Sequence, residues 1–118
     1  VLFEDMEIYH QIMAENNPKK HKKLGRQVKG FDSEIWDDYN QDIVEMGNWL
    51  KFTQNKALHQ KLINSGDKLL IEGSPLDKIW GVGMRFDHAS IGNVNKHKGL
   101  NLLGNCLMSV RQMIVDNI

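Results

Sequence analysis

The apolar pattern of the last residues is the strongest constraint on the fold of this chain. Apolar side chains recur there in steps of three and four, at Leu100, Leu103, Leu107, Val110, Ile114 and Ile118. This spacing is that of one buried face of an α-helix, and Gly104 within it allows a neighbouring element to approach closely. The pattern predicts a terminal helix that packs against other parts of the chain.

Two shorter helices are predicted near the start. The first covers residues near 3–15 and is ended by Asn16 and Asn17. Its apolar positions are Phe3, Met6, Tyr9, Ile12 and Met13. Pro18 then occupies the favoured first position of the second helix, with Asn17 as its cap.

A longer helix follows, capped by Asp32 or Ser33 and running to Phe52. Its predicted buried stripe consists of Ile35, Trp36, Tyr39, Ile43, Met46, Trp49 and Leu50. Asn55 is predicted to cap a further helix, which Gly66 ends in a left-handed conformation.

The remaining segments lack a helical period. The run KLLIEG from Lys68 is short enough to be a strand or an extended rim, and we expect it to be extended. Residues 84–98 are rich in polar turn formers and are predicted to form a loop over the site. With 118 residues, 41% of them hydrophobic, the chain fits one compact, mainly α-helical domain over residues 1–118 with a short extended segment near 68–73.

Composition excludes several classes of function. Lys plus Arg and Asp plus Glu both total 15, so a polyanion must be bound locally and not by global charge. Cys106 is the only cysteine, which leaves no internal disulfide and no cysteine pair for a metal. No apolar run approaches the roughly 18 residues of a membrane helix, and no signal peptide is recognisable. We expect a cytoplasmic protein that needs no metal or cofactor.

The segment from Leu69 to Gly83, LLIEGSPLDKIWGVG, has the composition of a functional corner. Glu72 follows a short apolar run, Pro75 bends the backbone, and Asp77 lies three residues before Trp80. From the residues alone, a structural role is slightly favoured, with Glu72 exposed and Asp77 capping the turn. The alternative is a ligand site, because an indole can stack on a nucleobase and a nearby carboxylate can orient water.

Other kinds of site are less well supported. The five histidines show no i, i+4 pair, and Cys106 lies on the apolar side of the last helix, where a free cysteine is usually buried. Gly81 and Gly83 are not followed by the lysine and hydroxyl of a phosphate loop. The basic run at residues 19–23 is interpreted as solvated, and Arg26, beside Gly25, as the better phosphate contact.

Several blocks of this sequence, taken in order and spacing, resemble the NADAR family, also known as YbiA-like proteins. They are Leu24-Gly25-Arg26, Trp36, Lys51-Phe52 with Gln54-Asn55, Ser65-Gly66-Asp67, Leu70-Ile71-Glu72, Asp77 with Trp80-Gly81-Val82-Gly83, and Gly99-Leu100-Asn101-Leu102-Leu103-Gly104 with Leu107-Met108 and Arg111. The blocks extend over nearly the whole chain, and together they are specific.

The resemblance implies a mainly α-helical N-glycosidase, which hydrolyses the bond between a ribose carbon and a nitrogen. The substrate it implies is either ADP-ribosylated guanine in nucleic acid or a phosphorylated ribosylaminopyrimidine of riboflavin synthesis. It implies Glu72 and Asp77 as catalytic residues. The positions it implies for substrate binding are Arg26, Trp36, Lys51, Trp80, Gly81, Gly83 and Asn101.

Three features depart from the family. The resemblance implies an upstream segment that supplies a further pocket glutamate, and we expect this chain to begin after that segment. We expect that segment to be cleaved or left out, to be supplied by a second chain, or to be missing from a module that binds ADP-ribose, a nucleotide or a partner without catalysis. Ser65 stands where Thr is usual, and the loop before Gly99 lacks the family's aromatic residue.

Overall fold

The computed structural model describes residues 2–118 and is built from helices and loops. Its helices are α1 (Met6–Ala14), α2 (Pro18–Gly25), α3 (Ser33–Gln54), α4 (Lys56–Asn64), α5 (Leu102–Asp116) and a short 3-10 helix at Val94–Lys96. Residues 2–118 contain no β-strand, so the predicted mainly α fold is confirmed. The chain divides into two compact units, one up to Tyr39 and one from Asn40 onward, and α3 contributes to both.

Side-chain caps set the helix starts as the sequence predicts. Asn17 Oδ1 accepts a hydrogen bond from the N–H of Lys19 at 2.9 Å, and Asn55 Oδ1 accepts one from Leu58 at 3.3 Å. Of the two candidate caps of α3, Asp32 and Ser33, the cap is Asp32, whose Oδ1 accepts a hydrogen bond from the N–H of Glu34 at 2.9 Å. These bonds satisfy N–H groups that have no partner within the helix.

The first unit is held together by the packing of α1 on α2 and by a link from the start of α1 to the loop after α2. Asp5 caps α1 through its Oδ1, and its Oδ2 accepts from the N–H of Lys29 at 2.8 Å. The rings of Phe3 and Phe31 lie 5.1 Å apart beside this link. The first helix therefore begins at Met6, three residues later than the apolar pattern suggests.

The core of the second unit lies between α4 and α5. Leu62, Val110 and Ile114 are buried there. Partly buried residues of α3, α4, the extended segment and α5 pack on them: Trp49, Phe52, Ile63, Leu70 and Met113. Gly66, just after the end of α4, has φ +61°, which is the left-handed conformation predicted for it.

The predicted buried stripe of α3 is wrong for five of its residues. The exposed fractions are 41% for Ile35, 51% for Tyr39, 41% for Ile43, 58% for Met46 and 45% for Leu50. Trp49, which was predicted to be buried, packs on the core together with Phe52. The packed side of α3 is thus an adjacent stripe that overlaps the predicted one at Trp49.

The ends of the predicted terminal stripe also differ from the structure. Leu100 is 65% exposed and Ile118 is 86% exposed, because both lie outside α5. Residues 68–74 form neither helix nor strand, as expected for an extended segment. In the described part of the chain, no helix has the length and apolar character needed to cross a membrane.

Candidate active site

Most of the predicted site residues lie in the second unit, between the end of α4 and the start of α5. Glu72 is on the extended segment, and the turn after it carries Asp77, Trp80, Gly81 and Gly83. Asn101 directly precedes α5, and Lys51 lies on α3, where its Nζ is 5.6 Å from the centre of the Phe52 ring.

Two predicted residues belong to the first unit. Arg26 is the exposed C-terminal cap of α2, and Trp36 is a half-buried residue in the first turns of α3. Their contact with substrate remains a prediction.

The backbone of Glu72 is fixed on both sides, while its carboxylate is uncommitted. Its N–H donates to Asn101 Oδ1 at 3.0 Å. Its carbonyl oxygen accepts from the N–H groups of Ser74 and Val82, each at 3.0 Å. The half-buried side chain makes no hydrogen bond or ion pair with any other residue in 2–118. Glu72 therefore presents a free carboxylate from a rigid backbone position.

Asp77 organises the turn that carries the indole. Its Oδ1 accepts from the N–H of Ile79 at 3.0 Å and from that of Trp80 at 2.8 Å, and its own N–H donates to Ser74 Oγ at 3.3 Å. This is the side-chain turn that Asp favours, and it fixes the backbone of Trp80. The geometry matches the structural interpretation of Asp77, and a direct catalytic role remains a prediction.

The same turn supplies hydrogen-bond acceptors to the start of α5. The backbone N–H groups at the start of α5 have no acceptor within the helix. They donate to carbonyl groups of residues 78–81, in the turn that carries Trp80. The bonds run from Leu100 to Lys78 at 2.8 Å, from Asn101 to Gly81 at 3.0 Å, from Leu102 to Ile79 at 3.1 Å and from Leu103 to Trp80 at 3.1 Å. The turn and the start of α5 thus form one rigid piece of backbone.

Asn101 connects this piece to the extended segment. It is 7% exposed and adopts a left-handed conformation with φ +53°, which Asn tolerates better than most residues. Its Nδ2 donates to the carbonyl of Leu70 at 2.9 Å, while its Oδ1 accepts from Glu72. This geometry gives Asn101 a positioning role, and its predicted contact with substrate remains to be tested.

Glycines allow the backbones of the site to approach each other. A Cβ at Gly81 would lie 2.7 Å from the carbonyl oxygen of Asp77 and 3.1 Å from that of Glu72. A Cβ at Gly104 would collide with the carbonyl of Leu70 and with the amide of Asn101. Gly83 has φ +69°, where a larger residue is strained. Gly104 was not predicted as a site residue, although it belongs to the motif around Asn101.

Two buried residues of α5 lie outside the predicted site. Arg111 is 8% exposed, and its Nη1 donates to Ser65 Oγ at 2.8 Å. In the sequence, Arg111 stands next to Val110 on an otherwise apolar helix face, and this pattern indicates a buried cation. Cys106 is 4% exposed, as predicted for a buried cysteine, and burial together with the nearby charge of Glu45 raises the pKa of its thiol.

The described residues include no group of three or more His, Cys, Asp or Glu side chains placed to hold a metal ion. A cavity of about 440 Å³ opens between α3 and the end of α5. Its lining residues are Asp42, Glu45, Met46, Trp49, Met113 and Asn117. None of these was predicted from the sequence as a site residue.

Comparison with known proteins identifies the family. The family model of the NADAR domain matches residues 1–115. An N-glycosidase of Acanthamoeba polyphaga mimivirus is 45% identical over 112 residues, which cover 95% of this chain and 66% of that protein. An N-glycosidase of Nostoc punctiforme is 34% identical over 110 residues, covering 93% of this chain and 64% of the relative.

A more distant relative is a chloroplastic riboflavin biosynthesis protein of Zea mays, 27% identical over 116 residues that cover 95% of this chain and 17% of that protein. The chain thus spans less than two thirds of the length of these relatives. The match of the domain over residues 1–115 agrees with the motif blocks around Glu72 and Asn101. The chain belongs to the NADAR family.

Proposed function

We propose that this chain carries the catalytic part of an N-glycosidase that hydrolyses a ribose-to-base N-glycosidic bond. The proposal rests mainly on Glu72. Three hydrogen bonds hold its backbone, while its carboxylate has no partner in residues 2–118. The names of the viral and cyanobacterial relatives support the same reaction.

Glu72 suits the charge that develops in this reaction. As the bond to the leaving nitrogen breaks, positive charge builds up on the sugar ring, and a fixed carboxylate stabilises that charge or activates the attacking water. A carboxylate on a rigid backbone needs little reorganisation at the moment of reaction. We therefore assign Glu72 as the catalytic carboxylate.

The neighbouring residues would bind and orient the substrate. Trp80 would stack on the base or form a wall against the sugar. Asp77 would orient the ribose or the water through the carboxylate oxygen that does not cap the turn. Gly81 and Gly83 would let the substrate approach the backbone closely. Asn101 would act by holding the backbone of Glu72.

Phosphate binding falls to two cations. Arg26 and Lys51 are both exposed and would hold phosphate oxygens by charge-assisted hydrogen bonds. Both candidate substrates carry phosphate groups, so Arg26 and Lys51 do not discriminate between them.

The preferred substrate is ADP-ribosylated guanine in nucleic acid, and the protein would act on it in the cytoplasm. The second candidate is a phosphorylated ribosylaminopyrimidine, which the name of the Zea mays relative favours. The third is a module that binds ADP-ribose, a nucleotide or a partner chain without cleaving a bond.

One mass-spectrometric assay separates these functions. Wild-type protein and Glu72→Gln are incubated with an oligonucleotide bearing ADP-ribosylated guanine and, in parallel, with a ribosylaminopyrimidine phosphate. We expect loss of the ADP-ribose mass with wild-type protein and no loss with Glu72→Gln. Glu34→Gln, an exposed change in the first turn of α3, is the matched control and should behave as wild type.

Each result has a defined meaning. Cleavage of only the pyrimidine compound would change the substrate class and keep the reaction. Full activity of Glu72→Gln would remove Glu72 from the mechanism. Tight binding of ADP-ribose without cleavage of either compound would establish the binding module.

A further inference from the structure

Helix α2 presents a face made of cations. Lys19, Lys22, Lys23 and Arg26 follow each other at steps of three, one and three residues, which places them within about 100° of one another around the helix. All four are exposed. The half-buried residues His21 and Leu24 lie on the other side of the helix, toward α1.

This cationic face is not neutralised within the described chain. Helix α2 contains no acidic residue, and the ion pair it makes is between Lys20 and Glu15, at 4.0 Å. None of the four cations of the face forms an ion pair with another residue in 2–118. Like charges three or four positions apart on a helix repel each other, and a bound polyanion removes that repulsion.

A cavity of about 460 Å³ lies beside the face, between α1 and α2. Its wall combines two lysines, one carboxylate, two glutamine amides and apolar groups; the lining residues are Gln11, Ala14, Glu15, Lys20, Lys23, Leu24 and Gln27. The carboxylate of Glu15 is held by the backbone N–H groups of Asn17, at 3.1 Å, and Asn16, at 3.0 Å, which lower its pKa. The amides offer donors and acceptors to the edge of a base, and the apolar groups offer a surface for its ring.

We propose that α2 and this cavity bind a single strand of nucleic acid, with phosphates along the cationic face and one base in the cavity. The face extends for about 10 Å, which corresponds to about three nucleotides of a strand. A row of cations of this length matches the repeating charge of a polynucleotide better than the one phosphate group of a small metabolite. The inference rests on the proposed function, because it concerns the carrier of the modified guanine.

The test is the binding of a fluorescein-labelled, unmodified 12-nucleotide DNA strand at several salt concentrations. The variant is Lys19→Gln/Lys22→Gln/Lys23→Gln, which leaves Arg26 intact. The matched control, Lys56→Gln/Lys61→Gln/Lys68→Gln, removes the same charge from exposed lysines in and after α4. Cleavage of ADP-ribosylated guanosine, which has no strand, is measured on all three proteins, and circular dichroism verifies their folding.

We expect the α2 variant to bind the strand at least tenfold more weakly at 0.1 M salt. The slope of log affinity against log salt should become shallower by about 2, since each phosphate contact to a single strand contributes about 0.7. The control should bind as wild type, and all three proteins should cleave ADP-ribosylated guanosine equally.

Equal weakening in both triple variants, unchanged binding by the α2 variant, or no binding by wild-type protein would each overturn the inference. Failure of the wild type to cleave ADP-ribosylated guanosine, with strand binding through α2 intact, would instead count against the proposed function.

Discussion

The side chain of Asn101 determines where Glu72 lies, although 29 positions separate the two residues. The amide oxygen of Asn101 accepts the N–H of Glu72 at 3.0 Å, and the amide nitrogen donates to the carbonyl of Leu70 at 2.9 Å. The N–H of Asn101 in turn donates to Gly81, on the turn after Asp77. One asparagine therefore joins the extended segment, the turn and the start of α5.

Replacing Asn101 by Asp should destabilise the protein and reduce its activity. A carboxylate oxygen would replace the amide nitrogen that donates to the carbonyl of Leu70. Two buried hydrogen-bond acceptors would then face each other, which lowers the free energy of unfolding by about 1–3 kcal/mol. Urea unfolding measures this cost, and kcat/KM on the proposed substrate measures the displacement of Glu72.

Asn101→Gly is the control for the backbone. It retains the left-handed conformation at no steric cost while removing both amide bonds. We expect it to be less stable than wild type by about 1–2 kcal/mol, from two lost hydrogen bonds. A glycine variant with wild-type stability and activity would show that the side chain does not position Glu72.

Replacing Gly81 by Ala should push its backbone away from Asp77 and Glu72. The added Cβ would lie 2.7 Å from the carbonyl oxygen of Asp77, which is backbone and cannot rotate away. We expect a loss of about 1–3 kcal/mol in the free energy of unfolding and a lower kcat.

Gly92→Ala is the matched control, since a Cβ there meets nothing within 4 Å. Its free energy of unfolding should stay within about 0.5 kcal/mol of wild type. Equal stability of the two alanine variants would contradict the close approach at Gly81.

Local chemistry made much of this fold predictable. Asn17, Asp32 and Asn55 cap helices through contacts two or three residues away, so their roles can be inferred from the adjacent sequence. The turn at Asp77 is predictable for the same reason, because its partners are Ile79 and Trp80.

Contacts distant in sequence could not be inferred in this way. The bond of Asn101 to Glu72 depends on how α5 docks on the extended segment, and no local pattern encodes it. The buried face of α3 also depended on tertiary packing, because two apolar stripes overlap there and only the core decides between them. The motif around Asn101 was recognised as a block of the family, without its geometry.

Asp5 should make the stability of the first unit depend on pH. The backbone N–H of Lys29, followed by that of Ile8, holds the pKa of Asp5 below its ordinary value of 3.8. Because the folded state favours the charged form, Asp5 stabilises the protein above pH 4. That contribution is lost as the pH falls below 3.8 and through the lowered folded pKa.

The measurement is urea unfolding of wild type and Asp5→Asn between pH 7 and pH 2.5. The stability advantage of wild type should be constant from pH 7 to pH 5 and should shrink toward acid pH. An advantage of wild type that grows toward acid pH would contradict the assignment.

The pair of Ser65 and Arg111 should tolerate Thr but not Ala at position 65. The guanidinium of Arg111 is buried on α5, and its Nη1 donates to the Ser65 hydroxyl at 2.8 Å. Ser65→Ala removes this acceptor beside a buried charge, and we expect a loss of about 1.5–3 kcal/mol in the free energy of unfolding. Ser65→Thr retains the hydroxyl and should cost less than about 0.5 kcal/mol.

A double-mutant cycle with Arg111→Met isolates the interaction between the two side chains. If the hydroxyl acts through Arg111, Ser65→Ala should cost much less in the Arg111→Met background than in wild type, with a coupling energy of at least about 1 kcal/mol. Additive losses would show that Ser65 stabilises α4 by itself, through its hydrogen bond to the carbonyl of Leu62. The cycle thus determines whether the C-terminal end of α4 is attached to α5 by this buried cation or only by the packing of Leu62 against Val110 and Ile114.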